Sequence, residues 1–475
     1  MFGHRWNRWD FAFTGAVLLL LVWQLFIPPA LSVANDHDFE KILGHICYAP
    51  VETTQTPFFD YAVLHYAYDG DSCIDWPMRT TNEAAFAAGW WLNSTFHSQI
   101  DFDLRYMGIV YGLIFFAGFL TMQRALRRVP AKLSMIAQAA WIAVFCNAVY
   151  VPMFNTLYFD ALSLATLTGA LAAAAVTVLD RGARWYWFAT AALWLALLAG
   201  SKGQHAPLAL LCIPALWIAP RRFLAIRALG TVAIVACAWV SLTTMPRFYQ
   251  GEATFNALFY RILPTLPEPR SYLAETKIPI SWARYSGEVA FAEDVPLRDP
   301  DYEERFGEWF GPVQLIRLYF RHPSAAWIIA RENLDEASMD RVRIRMAGVP
   351  HRLSNYEESQ GKPPQAISHF FTVWPALKNA VFGARPLLYA FWIIAVIAAA
   401  WILAPRDPNL YLLLAIITTA LAAEFAICML DGADGGRHLT LFNALLDFLV
   451  CGDAVLAARR FLKPAATSDT GRSPS

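Results

Sequence analysis

Asn35-Asp36-His37-Asp38-Phe39-Glu40-Lys41 gathers three carboxylates, a histidine and a lysine just beyond a long apolar run, Phe11 to Leu31. A bilayer crossing takes about 20 residues, so the cluster lies at the mouth of a transmembrane helix. Three more groups have the same character: Asn155, Tyr158 and Asp160; Lys202, Gln204 and His205; and Asp431, Asp434, Arg437 and His438, with Glu424 shortly before them. Ionisable groups at membrane depth are costly and tend to line cavities or pair with one another. Acid on one wall and cations on the others suit transfer of a sugar from a lipid phosphate. A carboxylate takes a proton from the acceptor hydroxyl as it attacks the anomeric carbon. Lys, Arg and His neutralise the departing phosphate, and Trp76, Trp90 and Trp91 offer stacking faces for sugar rings.

Each group also has an ordinary reading. Asn35 or Asp36 can cap a helix running through Phe39 to Ile46. Asn155 and Asp160 can be loop and first-turn residues, and Arg437-His438 can pair only with Asp431 and Asp434. Lys202 is harder to dismiss: a lone lysine between two short apolar runs, where positive charge is scarce, points to a bound anion. His37, His45 and His322 read as solvent-facing. Asp36-x-Asp38 also resembles a divalent-metal pair, which keeps Mg²⁺ or Mn²⁺ open.

The elements that must position these residues follow from composition. Of 475 residues 57% are hydrophobic and 16% charged, against about 25% charge in soluble domains, so the chain is expected to be an all-α polytopic membrane protein. Lys+Arg and Asp+Glu both number 38, leaving no basic surface for nucleic acid. Apolar runs recur at Met107–Met122, Leu133–Tyr150, Leu157–Leu179, Trp185–Leu198, Pro207–Ile218, Ala228–Leu242, Pro386–Leu403, Leu410–Leu430 and Thr440–Leu456. With the first run they make about ten crossings. The first is too long for a leader-peptide core and Pro28-Pro29 lacks a small-residue cleavage site, so a retained helix is expected. Trp185–Leu198 and Pro207–Ile218 are short for crossings, and a re-entrant hairpin with Ser201 to His205 at its tip is the other reading.

Arg5 and Arg8, Arg124 to Lys132, Arg181 and Arg184, Arg221 to Arg227, Arg406, and Arg459 to Lys463 mark alternate connections. The positive-inside rule places these, and both termini, in the cytoplasm. The transmembrane core then spans 1–246, with a large outer loop at 32–105; 247–385 forms a mostly helical outer-face domain; 386–460 returns to the membrane; and 461–475 is a disordered cytoplasmic tail. Within the outer domain Val313–Phe320 and Ala325–Ala330 are too short to span and suit helices packed on the membrane surface or on each other. Cys47 and Cys73 share the first outer loop and are expected to pair if it faces an oxidising compartment.

The chain also resembles the integral membrane glycosyltransferases of the GT-C fold, closest to bacterial hexose transferases of glycan biosynthesis. The resemblance rests on Asp38-Phe39-Glu40-Lys41, Phe102-Asp103-Leu104-Arg105, Asn155 to Asp160, Lys202-Gly203-Gln204-His205, Tyr285-Ser286-Gly287, Phe320-Arg321-His322-Pro323 and Arg437-His438. These landmarks run from the first helix to the last, and their order and spacing carry more weight than any one of them. The resemblance implies a polyprenyl-phosphate-linked sugar donor, a glycan or glycolipid acceptor, inverting transfer on the periplasmic face of a bacterial inner membrane, and a carboxylate base in the first outer loop. It implies Asp38 as that base, with Asp36 second; Lys202, Arg437 and His438 as donor-phosphate binders; and Glu40, Asn155, Tyr158, Asp160, Gln204 and His205 around the substrates. Proximity alone does not choose among Asp36, Asp38 and Glu40. The alternative from another class is a flippase for a lipid-linked saccharide, which is expected to show related halves and broken helices near the midplane; no such halves are visible. A membrane acyltransferase using His205 or His438, and a structural subunit, are the remaining readings.

Overall fold

A computed structural model describes residues 8–28, 30–35, 38–50, 62–74, 78–180, 182–218, 223–290, 292, 294–296, 300–338, 343–346, 349–352, 371–383, 385–430 and 435–461. The protein is an all-α polytopic membrane protein. Among the described residues seven helices are long and apolar enough to cross a membrane. They are α1 (Arg8–Phe26), α4 (Arg105–Leu126), α6 (Phe159–Leu179), α10 (Leu224–Thr243), α17 (Pro386–Leu403), α18 (Pro408–Cys428) and α20 (Thr440–Phe461). Two shorter apolar helices, α5 (Ala131–Phe145) and α7 (Trp185–Ser201), join them.

The run Pro207–Ile218 is broken into α8 (Ala206–Leu211) and α9 (Pro214–Trp217). Pro214 lacks an N–H and its ring would meet the carbonyl one turn earlier, so an α-helix cannot continue through it. The backbone crosses the break with tighter bonds instead: Cys212 N donates to Ala209 O and Ile213 N to Leu210 O, both at 3.1 Å. α7 and the α8–α9 pair therefore form a hairpin, with Lys202 and a turn at Gly203–His205 as its tip.

The centre of the bundle is α6, buried along nearly its whole length and packed on α4, α7, α18 and α20. Its Ala, Gly, Ser and Thr residues let neighbouring helices approach closely. Gly169 shows how closely, because a Cβ there would sit 2.4 Å from the Trp194 ring of α7. At the end remote from Asp160, Arg124 lies 5.0 Å from the Tyr186 ring, Arg128 4.8 Å from Trp187, and Arg227 4.6 Å from Phe188.

Between α1 and α4 lie α2 (Glu40–Ile46), α3 (Asn82–Phe96) and a three-stranded antiparallel sheet of β1 (Tyr48–Pro50), β2 (His65–Tyr68) and β3 (Asp101–Asp103), in the order β1-β2-β3. Cys47, just before β1, forms a disulfide with Cys73. This small sheet was not expected; its strands are only three or four residues long and leave little periodicity to read.

After α10 come α11 (Arg247–Phe255), α12 (Pro269–Ala274), α13 (Pro300–Trp309), α14 (Pro312–Arg321), α15 (Pro323–Ser338), a hairpin of β4 (Arg343–Met346) and β5 (Val349–Arg352), and α16 (Val373–Phe382). Residues from Phe255 to Ile329 build a second apolar core in which Phe255 stacks on Phe259 and Trp282 on Phe306, the two pairs meeting edge-on. α14 and α15 pack on each other, with Leu315, Leu318, Ala325 and Ile329 turned inward. Tyr319 Oη donates to Met429 O at 2.6 Å, tying this core to the end of α18, and α19 (Gly435–His438) leads into α20.

Candidate active site

The chain leaving α1 is held in place before it reaches Asp38. Asn155 Nδ2 donates to Leu25 O at 2.9 Å and to Leu31 O at 2.8 Å, while Ser32 Oγ donates to Asn155 O at 2.6 Å. Tyr158 Oη donates to Ala34 O at 2.7 Å. Asn35 does not cap α2, whose cap position is Phe39 without a side-chain cap bond, but it closes the turn that leads in: its Oδ1 accepts from Phe39 N at 3.1 Å, and its Nδ2 donates to Glu40 Oε1 at 3.2 Å. Fixed in this way, Asp38 forms ion pairs with Lys41 and Arg437. Burial alone would raise its carboxyl, but the charges of Arg437, Lys41 and Lys202 outweigh that and hold it well below the ordinary carboxylate range.

Asp160 sits in the first turn of α6, where the helix dipole favours an anion. Lys202 Nζ donates to both of its oxygens at 3.0 Å, His205 Nε2 lies 3.1 Å from Oδ1, and Arg437 Nε lies 4.0 Å from Oδ2. The other ring nitrogen of His205 is 2.9 Å from Glu424 Oε2, and both side chains are fully buried. Both nitrogens thus face carboxyl oxygens, an environment that favours the protonated imidazolium against the cost of its burial. Glu424, His205, Asp160, Arg437 and Asp38 form one continuous polar chain, with Lys202 bound at its middle.

Two buried side chains set the spacing of this chain. The Arg437 guanidinium lies 4.4 Å from the centre of the Tyr158 ring, and Phe39 meets the same ring edge-on at 4.8 Å. Tyr158 therefore supports Arg437 on its face and the Asp38 loop through its hydroxyl. Asn82, the first residue of α3, donates to Ser201 O at 2.5 Å and Phe159 O at 3.3 Å, and accepts from Tyr111 Oη at 3.0 Å. It links the two peptide units just before Lys202 and Asp160. Gly203 fits closely beside Lys202, since a Cβ would lie 2.9 Å from the Met245 methyl, which can shift, and 3.2 Å from Ser241 O.

Of the expected site residues, the structure brings Asp38, Asp160, Lys202, His205 and Arg437 into one connected cluster. His438 is buried beside them, with Nε2 3.4 Å from Arg437 Nη2. Gln204 is half-buried, with Nε2 4.0 Å from Cys428 Sγ. Asn155 and Tyr158 brace the chain that leads to Asp38: Nδ2 of the one and Oη of the other are hydrogen-bonded to main-chain carbonyls between Leu25 and Ala34. Glu40 faces Asn35. Asp36, His37, Trp76, Asp431 and Asp434 lie outside the described residues, as do the Asp36-x-Asp38 pair as a unit and the tail after Phe461. The His322 ring lies tilted against Tyr272, centroids 4.1 Å apart, instead of facing solvent freely, and Trp90 and Trp91 are exposed on α3.

Glu424, an ionisable residue inside an apolar helix, and Lys41, one turn from Asp38, belong to the polar groups named in the sequence and take direct parts in the cluster. Asn82 was missed and has no local mark at all. A second buried group was also missed: Asp447 of α20 accepts from Tyr150 Oη at 2.8 Å and Trp374 Nε1 at 2.9 Å, with Lys378 Nζ at 3.4 Å. It anchors α20, which follows directly on Arg437 and His438.

No curated protein matches this chain, and no solved structure does. The family model described as the YfdI N-terminal transmembrane domain matches residues 11–469, nearly the whole chain. The helical bundle agrees with that description, and the chain belongs to the family of the YfdI N-terminal transmembrane domain.

Proposed function

We propose that the protein is a membrane glycosyltransferase of GT-C-like architecture. It moves a sugar from a polyprenyl-phosphate donor to a glycan or glycolipid acceptor, with inversion, at the periplasmic face of a bacterial inner membrane with both termini in the cytoplasm. The observation that carries this reading is the contact of Asp38 with Arg437, itself beside the Asp160–Lys202 pair. A carboxylate suited to accept a proton and cations suited to hold a phosphate occupy one cluster at the helix ends.

In the proposed reaction the acceptor hydroxyl gives its proton to Asp38 and its oxygen attacks the anomeric carbon. The bond from that carbon to the phosphate oxygen breaks on the opposite face, which inverts the centre. The phosphate leaves with the electron pair and is held by Arg437, Lys202 and His438. Asp160 aligns Lys202 and Arg437, and the Glu424–His205 pair holds Asp160. Divalent Mg²⁺ or Mn²⁺ at Asp36 and Asp38 stays outside this scheme, because Asp36 is not described.

The test uses proteoliposomes containing the full chain and a radiolabelled polyprenyl-phosphate sugar. The account predicts label in an acceptor glycan, reduced about 10²–10³-fold in Lys202→Ala, as expected for removing one donor from a preorganised charged site. Movement of intact lipid-linked sugar across the bilayer, with no transfer from any donor tried, would establish the flippase reading instead.

A further inference from the structure

A second cluster, separate from Asp38 and Asp160, lies on the three-stranded sheet. In the antiparallel register His65 of β2 faces Asp103 and Ala67 faces Asp101, so His65 and Asp101 are diagonal neighbours on one face. His97, the residue that ends α3, folds back to the same place. His65 Nδ1 is 3.2 Å from Asp101 Oδ2, and His97 Nε2 is 2.8 Å from that same oxygen. The potential ligand atoms of the three residues all lie within 4.8 Å of one another.

The backbone holds this convergence rigidly. Asn93, fully buried in α3, donates through Nδ2 to Ser98 O at 2.7 Å and to Asp101 O at 2.8 Å, and its Oδ1 accepts from Asp103 N at 2.9 Å. Ser98 Oγ accepts from Ile100 N and Asp101 N, both at 3.1 Å. The His97 ring also stacks on Tyr106 at 6.2 Å. One asparagine thus sets the separation of His97 and Asp101, while strand pairing sets that of His65.

Two imidazoles and a carboxylate are a frequent zinc ligand set, with a fourth position left for water or another ligand. Ligand atoms about 2.1 Å from a tetrahedral metal lie about 3.4 Å from one another, close to the separations seen here. The side chains are 37% to 41% exposed, so an ion can enter from solution. The Cys47–Cys73 disulfide at the start of β1 places the module in an oxidising compartment, where a divalent ion without redox chemistry is the stable occupant. We propose that His65, His97 and Asp101 bind zinc, clipping the end of α3 to the sheet. This inference does not depend on the glycosyltransferase reading.

The test is calorimetric titration of ZnCl₂ into the full chain, purified in detergent without a polyhistidine tag and stripped with EDTA. The expected result is one zinc per chain, a raised Tm that EDTA reverses, and affinity lower by about tenfold or more in His65→Ala and in His97→Ala. Should either variant fold poorly, Co²⁺ bound to the wild type is expected to show the absorption of a nitrogen- and oxygen-ligated tetrahedral site, and His65→Gln to lose it. No zinc binding by the wild type, or equal binding by a His65→Gln/His97→Gln double variant, would overturn the proposal.

Discussion

Asp38 meets Arg437 and Lys41, and that contact governs both its charge and its strength as a base. A carboxylate held this far down is ionised throughout the neutral range but binds protons weakly. A donor phosphate drawing on Arg437 and Lys202 would relax that hold and raise its basicity where the acceptor arrives, so anion binding and base strength are coupled through the same cations. The linkage has a definite sign. A group whose folded-state value is depressed adds stability above its ordinary value of 3.8, and that stability is lost as pH falls toward the lower folded value. Wild type is therefore predicted to melt above Asp38→Asn by a margin that is constant from about pH 8 to 5 and narrows below about 4. Melting curves across that range check it, and a margin that changed between pH 5 and 8 would mean that another group sets the effect.

At the scale of elements, the site exists because side chains hydrogen-bond main-chain carbonyls across element boundaries. Asn155 and Tyr158 fix the α1–α2 connection, and Asn82 joins the peptide units preceding Asp160 and Lys202. In Asn82→Ala those two buried carbonyls lose a donor, a cost of about 1–3 kcal/mol. The same change lets Lys202 and Asp160 drift apart. The predicted outcome is a lowered Tm together with a kcat that falls more than KM rises, measured on the detergent-purified protein. A normal kcat with only a lowered Tm would make Asn82 structural alone. The long helices were legible because apolar length is a local feature of the chain, whereas the break of the run Pro207–Ile218 at Pro214 was not. The meetings were not legible: His205 contacts Asp160 across 45 residues and Glu424 across 219. No periodicity records such a contact, nor the bonds by which Asn155 holds the carbonyls of Leu25 and Leu31, across 130 and 124 residues.

At the scale of the molecule, the polar residues of five distant segments converge at one end of a bundle whose other end carries Arg124, Arg128 and Arg227 on aromatic faces. The asymmetry matches the basic connections read from the chain, and it supports the proposal that the cluster faces the periplasm. Membership of the YfdI N-terminal transmembrane domain family covers this whole arrangement, bundle and outer segments together. The central claim is that the cluster performs chemistry with Asp38 as base. It is tested most directly by measuring donor binding and sugar transfer on the same preparations of wild type and Asp38→Asn. The account predicts binding within a few-fold of wild type and transfer lower by about 10²–10⁴, the contribution of a general base. Undiminished transfer by Asp38→Asn at equal protein level would contradict it.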